Sequence, residues 1–232
     1  MSTKLSTKGI KTTAVSIPKE LQPGNNSCKI NSMVLEDFKF KPGSKNVVLY
    51  LETVPVTNKS FEGFLIDKGN PEAGKYAGQV GRVKAGEWAF ADGSTKSGVE
   101  VSRDTEILKF IKTLCQALGK EDWLDSQDDK HDTIESLVDA FNADKPYEGI
   151  FLNYCVAGKE YNNRQGYLTY DLFLPKFTRK GVPFEATSAK VSKLLTFNTE
   201  EHIKKSKVKE VESFESSSDT PASEQTKNGF EI

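Results

Sequence analysis

The spacing of apolar residues changes twice along this 232-residue chain, and the order of those changes limits its fold more than any other feature. Residues 28–40 (CKINSMVLEDFKF) carry Ile30, Met33, Leu35, Phe38 and Phe40 at a period near two with one slip, a strand pattern closed by Pro42-Gly43. NVVLYLETV (46–54) is a β-branched and aromatic strand stopped by Pro55, and FEGFLI (61–66) reads as a third, with Gly63 marking a bulge or sharp bend. The period then becomes helical. DTEILKFIKTLCQALG (104–119) places Asp104 as N-cap and Gly119 as C-cap, and TIESLVDAFN (133–142) repeats the pattern before Pro146. Strand spacing returns in GIFLNYCVAGKEY (149–161) and QGYLTYDLFLPKF (165–177), joined by an Asn/Gly turn, NNRQG.

Three strands, helical material and two strands form the element order of an OB-fold, a small Greek-key barrel, although a generic α+β domain gives a similar string. The expectation is a mainly β chain with α insertions: a five-stranded OB-fold-like barrel with helices between the third and fourth strands. Residues 1–26 read as a flexible basic arm, 27–200 as the barrel domain, and 201–232 as a disordered tail with an acidic C-terminus. On the last strand Leu168, Tyr170, Leu172 and Leu174 are expected to face the core, leaving Tyr167, Thr169, Asp171 and Phe173 outside.

Composition narrows the class. Hydrophobic residues make up 36% and charged residues 28%, yet 14 Phe, 7 Tyr and 2 Trp suffice for a packed core. No apolar run reaches the roughly 18 residues of a membrane helix, and residues 1–19 lack a secretory apolar stretch. Cys28, Cys115 and Cys155 are too dispersed for a disulfide framework or a Cys-based zinc site. A soluble protein of a reducing, cytoplasmic compartment is expected.

The formal net charge of −1 conceals strong segregation. Residues 1–19 carry four lysines and no acid, residues 202–209 likewise, residues 121–148 hold ten acids against Lys130 and Lys145, and residues 210–232 hold six acids against one lysine. A polyanion partner responds to the local field, so a neutral total does not exclude one.

Catalytic patterns are missing. There is no GxxxxGK[ST] loop or GxSxG elbow, and GQVGRVKAG (78–86) does not fit GxGxxG. His131 reads as a solvated residue before a helix, and His202 as a flank of the lysine run. Asp125, Asp128, Asp129 and Asp132 lack the Gly and terminal Glu of an EF-hand and read as an acidic helix entry. The chain is expected to be no enzyme and to need no cofactor or metal.

Binding chemistry is better represented. A single strand of nucleic acid is held by cations that follow the phosphates and by aromatic faces on which bases stack. Cations and rings interleave at Lys75, Tyr76, Arg82, Lys84 and Trp88, inside a glycine-studded segment (67–102) read as a long insertion, and again at Lys159, Tyr161, Arg164, Tyr167, Lys176 and Arg179. The competing reading is that these rings pack beneath the helices or the insertion. The acidic tail ends in Phe230-Glu231-Ile232, an apolar, negatively charged tip suited to a basic-rimmed pocket on a partner.

The element order, GKEYNNRQGYLTYDLFLPKF (158–177) and the acidic tail ending near an aromatic residue together resemble the single-stranded DNA-binding proteins of tailed phages. The run from Lys29 to Thr187, notably FEGFLIDKGNPEAGKYAGQVGRVKAG and SGVEVSRDTEILKFI, is similar to proteins of gut crAss-like phages. The resemblance implies an OB-fold protein that coats unpaired DNA in phage replication or recombination, in the cytoplasm of an infected bacterium. It further implies recruitment of replication proteins through the tail, no membrane partner, and self-association left open. The long 67–102 segment, the acidic 121–148 segment and the FEI tip depart from that pattern. The rival expectations are a virion structural or cargo protein, and a metal-dependent nuclease using Asp67, Asp92 and Asp104.

Overall fold

The computed structural model describes residues 20–54, 77–175, 183–186 and 197–205. Strands β1 (Gly24–Asp37), β2 (Lys45–Thr53) and β3 (Val80–Lys84) precede the short pair β4 (Gly93–Ser94) and β5 (Glu100–Val101). Helices α1 (Arg103–Leu118), α2 (Glu121–Asp125) and α3 (Ile134–Asp144) follow, then β6 (Phe151–Asn162), β7 (Leu168–Phe173), β8 (Phe184–Ala186), α4 (Thr199–His202) and β9 (Ile203–Lys204).

Five strands close on themselves in the order β1-β2-β3-β7-β6, with β6 returning to β1. All neighbours are antiparallel except β3 and β7, which run parallel. The chain is thus mainly β, with a closed mixed five-strand barrel and the helices inserted between its third and fourth strands, an arrangement consistent with an OB-like barrel. No helix among the described residues is long and apolar enough to cross a membrane.

The third barrel strand lies where the sequence suggested an irregular insertion. Val80–Lys84 alternates only one buried side chain, Val83, with outward Arg82 and Lys84, too weak a period to stand out among seven glycines. The expected strand at 61–66 lies outside the described residues. Closing a barrel with 14 residues of β1 requires a bend, supplied by the register slip between Ile30 and Ser32. Beside the slip, α3 is pinned to the strand: Met33 N–H donates to Asn142 Oδ1 at 2.9 Å, Asn142 Nδ2 donates back to Met33 C=O at 2.6 Å, and Tyr147 Oη donates to Asn31 C=O at 3.2 Å.

The N-cap of helix α1 lies two residues before the expected one. Ser102 is the N-cap, its side chain accepting from Thr105 N–H, while Asp104 sits in the first turn with Glu106, where carboxylates oppose the positive helix end. Gly119 closes it in the left-handed conformation (φ 66°), as expected. Its buried stripe, Ile107, Ile111, Leu114, Cys115 and Leu118, joins Ile134, Leu137, Val138 and Phe141 of α3 and the inward residues Met33, Leu49, Leu51, Val83 and Leu172 in one core.

Two expectations about facing are corrected. Leu168 is 56% exposed, because the β6–β7 hairpin runs past the barrel wall, where β3 pairs with β7 only at Leu172 and Phe173. Phe173, expected outside, is buried, with Lys204 Nζ of β9 lying 5.8 Å from its ring centroid. Residues 20–26, which fall within the expected arm, are placed against the barrel. Gly24–Asn26 pair with Val156–Tyr154, Leu21 N–H donates to Val80 C=O at 3.0 Å, and Leu21 is buried.

Candidate nucleic-acid interface

The parallel seam between β3 and β7 is only two residue pairs long, Val83↔Leu172 and Lys84↔Phe173. Beyond it the strands diverge, and residues 20–22 lie in the gap alongside Val80. A cleft of about 310 Å³ remains, lined among others by Gln22, Arg82, Tyr161, Thr169, Tyr170 and Asp171. Inward side chains at Val83 and Leu172 fix the alternation, so Arg82, Lys84 and Asp171 project outward. Across the hairpin, Lys159 stands opposite Asp171 and Tyr161 opposite Thr169, on the same outer surface.

The hairpin tip is built by local chemistry. Asn163 Oδ1 accepts from the backbone N–H groups of Gln165 (3.0 Å) and Tyr167 (2.9 Å), and Gly166 takes φ 82°, a conformation that favours glycine. This turn holds Tyr167 with 71% of its surface open, above Tyr161 at 47%, with Arg164 between them in sequence and also exposed. Neither Lys159 nor Arg164 forms an ion pair among the described residues.

The other two cations of this surface are engaged. Arg82 Nε donates to Glu36 Oε1 at 3.0 Å and its terminal nitrogen reaches the second carboxylate oxygen, a bidentate pair that raises the guanidinium pKa further. Lys84 Nζ pairs with Asp171, and on the neighbouring edge Lys29 pairs with Glu52 at 3.0 Å. The Glu52 carboxyl is held below its ordinary range, first by Lys29 and then by Asn31 Nδ2, which donates to it at 3.1 Å. The surface therefore presents alternating charges, with aromatic faces and two uncommitted cations concentrated at the hairpin end.

Trp88 does not join this group. It is 73% exposed and lines a separate apolar groove of about 390 Å³ with Phe90, Phe110, Pro175 and Phe184, where Glu87 pairs with Lys204. Lys75, Tyr76, Lys176, Arg179, Phe230, Glu231 and Ile232 lie outside the described residues. Of the carboxylates considered for a nuclease, Asp92 Oδ1 accepts from Arg103 N–H at 2.7 Å and Asp104 Oδ1 from Arg103 Nε at 2.6 Å, so both serve the start of α1. Asp67 lies outside the described residues, and among those described no three His, Cys, Asp or Glu side chains are placed to hold a metal.

Sequence reasoning passed over two aromatic residues, of which Tyr50 adjoins this surface and Phe40 stands at the other end of the barrel. Phe40, in the turn between β1 and β2, is 88% exposed, braced edge-on by Phe38 at 5.5 Å and flanked by Lys39 and Lys41. FKFK interleaves rings and cations, but the same residues continue the strand period of 28–40. Tyr50, half-buried beside Arg82 on β2, carried no comparable signal. No family model, curated protein or solved structure matches this chain.

Proposed function

We propose that the protein binds single-stranded DNA on an OB-fold, laying the strand along the outer surface of β3, β7 and β6. The observation that carries this reading is the exposure of Tyr161 and Tyr167 on one hairpin, next to an open cleft and beside Lys159 and Arg164, which form no ion pair among the described residues. Exposed rings offer faces to bases whose own faces are free, which duplex bases are not, and stacking of this kind contributes about 1–3 kcal/mol per base without sequence readout. Lys159 and Arg164 neutralise phosphates, so affinity falls steeply with salt. The barrel order and the hairpin sequence also support the resemblance to phage single-stranded DNA-binding proteins, and in that reading the Phe230-Glu231-Ile232 tip recruits replication proteins.

Fluorescence anisotropy with matched single- and double-stranded oligonucleotides at low salt tests the proposal. The expected result is saturable binding to the single strand, weaker binding to the duplex, and loss of both on adding salt. Equal affinity for the two forms, or no binding to either, overturns it.

A further inference from the structure

Among the described residues, two of the four cations on the outer surface of β3, β7, β6 and the β6–β7 turn are already occupied by carboxylates of the same molecule. Glu36 presents both oxygens to the fork of Arg82, the geometry in which a guanidinium grips a phosphate, and Asp171 holds Lys84. Each pair joins strands that are distant in sequence, 46 and 87 residues apart, so the pairing is a property of the assembled barrel. The carboxylates are partly exposed, which leaves them accessible to exchange: a surface ion pair is weak, and a phosphate entering from solvent competes for the same donors.

We propose that Glu36 and Asp171 are built-in competitors for the phosphates of the bound strand and set the minimum length of ligand the surface accepts. This inference rests on the single-strand reading above. A ligand with one phosphate displaces one carboxylate and then meets its repulsion, with no further gain. A longer strand gains stacking on Tyr161 and Tyr167 and two uncommitted cations, Lys159 and Arg164, and those contacts offset the displacement of both carboxylates. The acids thus discriminate against short nucleotides while keeping Arg82 and Lys84 extended and correctly aimed in the free protein.

The test compares wild type, Glu36→Gln, Asp171→Asn and the double variant by anisotropy, using labelled oligothymidylate and labelled thymidine dinucleotide. Asp139→Asn, at an exposed acid on α3 that forms no ion pair among the described residues, controls for the change in net charge. Each single variant is expected to bind the long strand about two- to fivefold more tightly, the range spanned by one surface ion pair. The gain on the dinucleotide is expected to be larger, narrowing the length discrimination, while Asp139→Asn stays at the wild-type value. Wild-type binding with no gain in either variant, or an equal gain in Asp139→Asn, overturns this inference and leaves the single-strand reading intact. Failure of every form to bind either probe overturns both. Thermal melts of the two isosteric variants establish that each is folded, and Glu36→Gln alone suffices if Asp171→Asn is not.

Discussion

Arg82 on β3 reaches over β2 to Glu36 on β1, with Nε 3.0 Å from Oε1, and Val48 of β2 lies fully buried on the outer face between them. Val48 points away from the barrel interior, since its neighbours Val47 and Leu49 pair with the inward Leu35 and Met33. The stems of Arg82 and Glu36, on the two strands that flank β2, are placed to exclude water from this outward apolar residue.

Removing that cover has a measurable cost. Arg82→Ala is expected to lose the roughly 0.2–1 kcal/mol of a surface pair and to expose Val48, lowering the urea midpoint. Arg82→Lys keeps charge and most of the stem but not the fork, so it falls between. An Arg82→Ala midpoint equal to wild type means that Val48 is covered by something else.

Gly81 and Gly158 are required by close approach. A Cβ on Gly81 meets Leu21 Cβ at 2.4 Å, and one on Gly158 meets Pro23 Cγ at 2.6 Å and Tyr170 Cδ1 at 2.9 Å. Gly81→Ala and Gly158→Ala are each expected to destabilise by about 1–3 kcal/mol, the cost of overpacking, by displacing residues 20–23 from the barrel. Gly93→Ala, with nothing within 4 Å, is the neutral control. Chemical denaturation distinguishes them, and equal midpoints for all three contradict the packing of this segment.

Tyr161→Ala and Tyr167→Ala separate binding from stability. Tyr167 is largely exposed and Tyr161 about half, so the melting temperature is expected to stay near wild type, within the about 0.5 kcal/mol usual for surface changes. Affinity for a single-stranded oligonucleotide is expected to fall by about 1–3 kcal/mol for each ring that stacks on a base. Phenylalanine at either position retains most of the affinity. Unchanged binding in both alanine variants removes the hairpin from the interface.

Stability is expected to form a plateau in pH bounded by two sets of ion pairs. Glu52 and Glu135 are held below their ordinary 4.5 chiefly by Lys29 and Lys45. A carboxyl that binds its proton less readily when folded stabilises fully above 4.5, and that contribution is lost as pH falls through the lowered folded value. Lys45 is raised above 10.5, first by Glu135 and then by Asp37, so its contribution is present below 10.5 and lost as pH rises through the raised value. Urea midpoints measured across pH test this. Glu135→Gln is expected to flatten both flanks, because Lys45 and Glu135 share one contact of 3.0 Å.

Where local chemistry carried the information, the sequence alone determined the outcome. The periods of Ile107, Ile111 and Leu114, the αL glycine at 119 and the Asn163–Gly166 turn each depend on residues within one or two turns of chain, so α1 and the β6–β7 hairpin were legible in advance. The rest depends on partners that come from distant parts of the chain. Val80–Lys84 becomes a strand because β2 and β7 supply its partners, not because its own spacing demands it. Phe173 is buried because β9 returns across it, and Leu168 is exposed because the hairpin outruns the barrel. The cations were visible as cations, but their commitment to Glu36 and Asp171 was not, since charge pairing across a closed barrel depends on which distant strands become neighbours. Spacing along a chain fixes which side chains share a face; closure fixes which faces meet, and here that decides which charges remain free for a ligand.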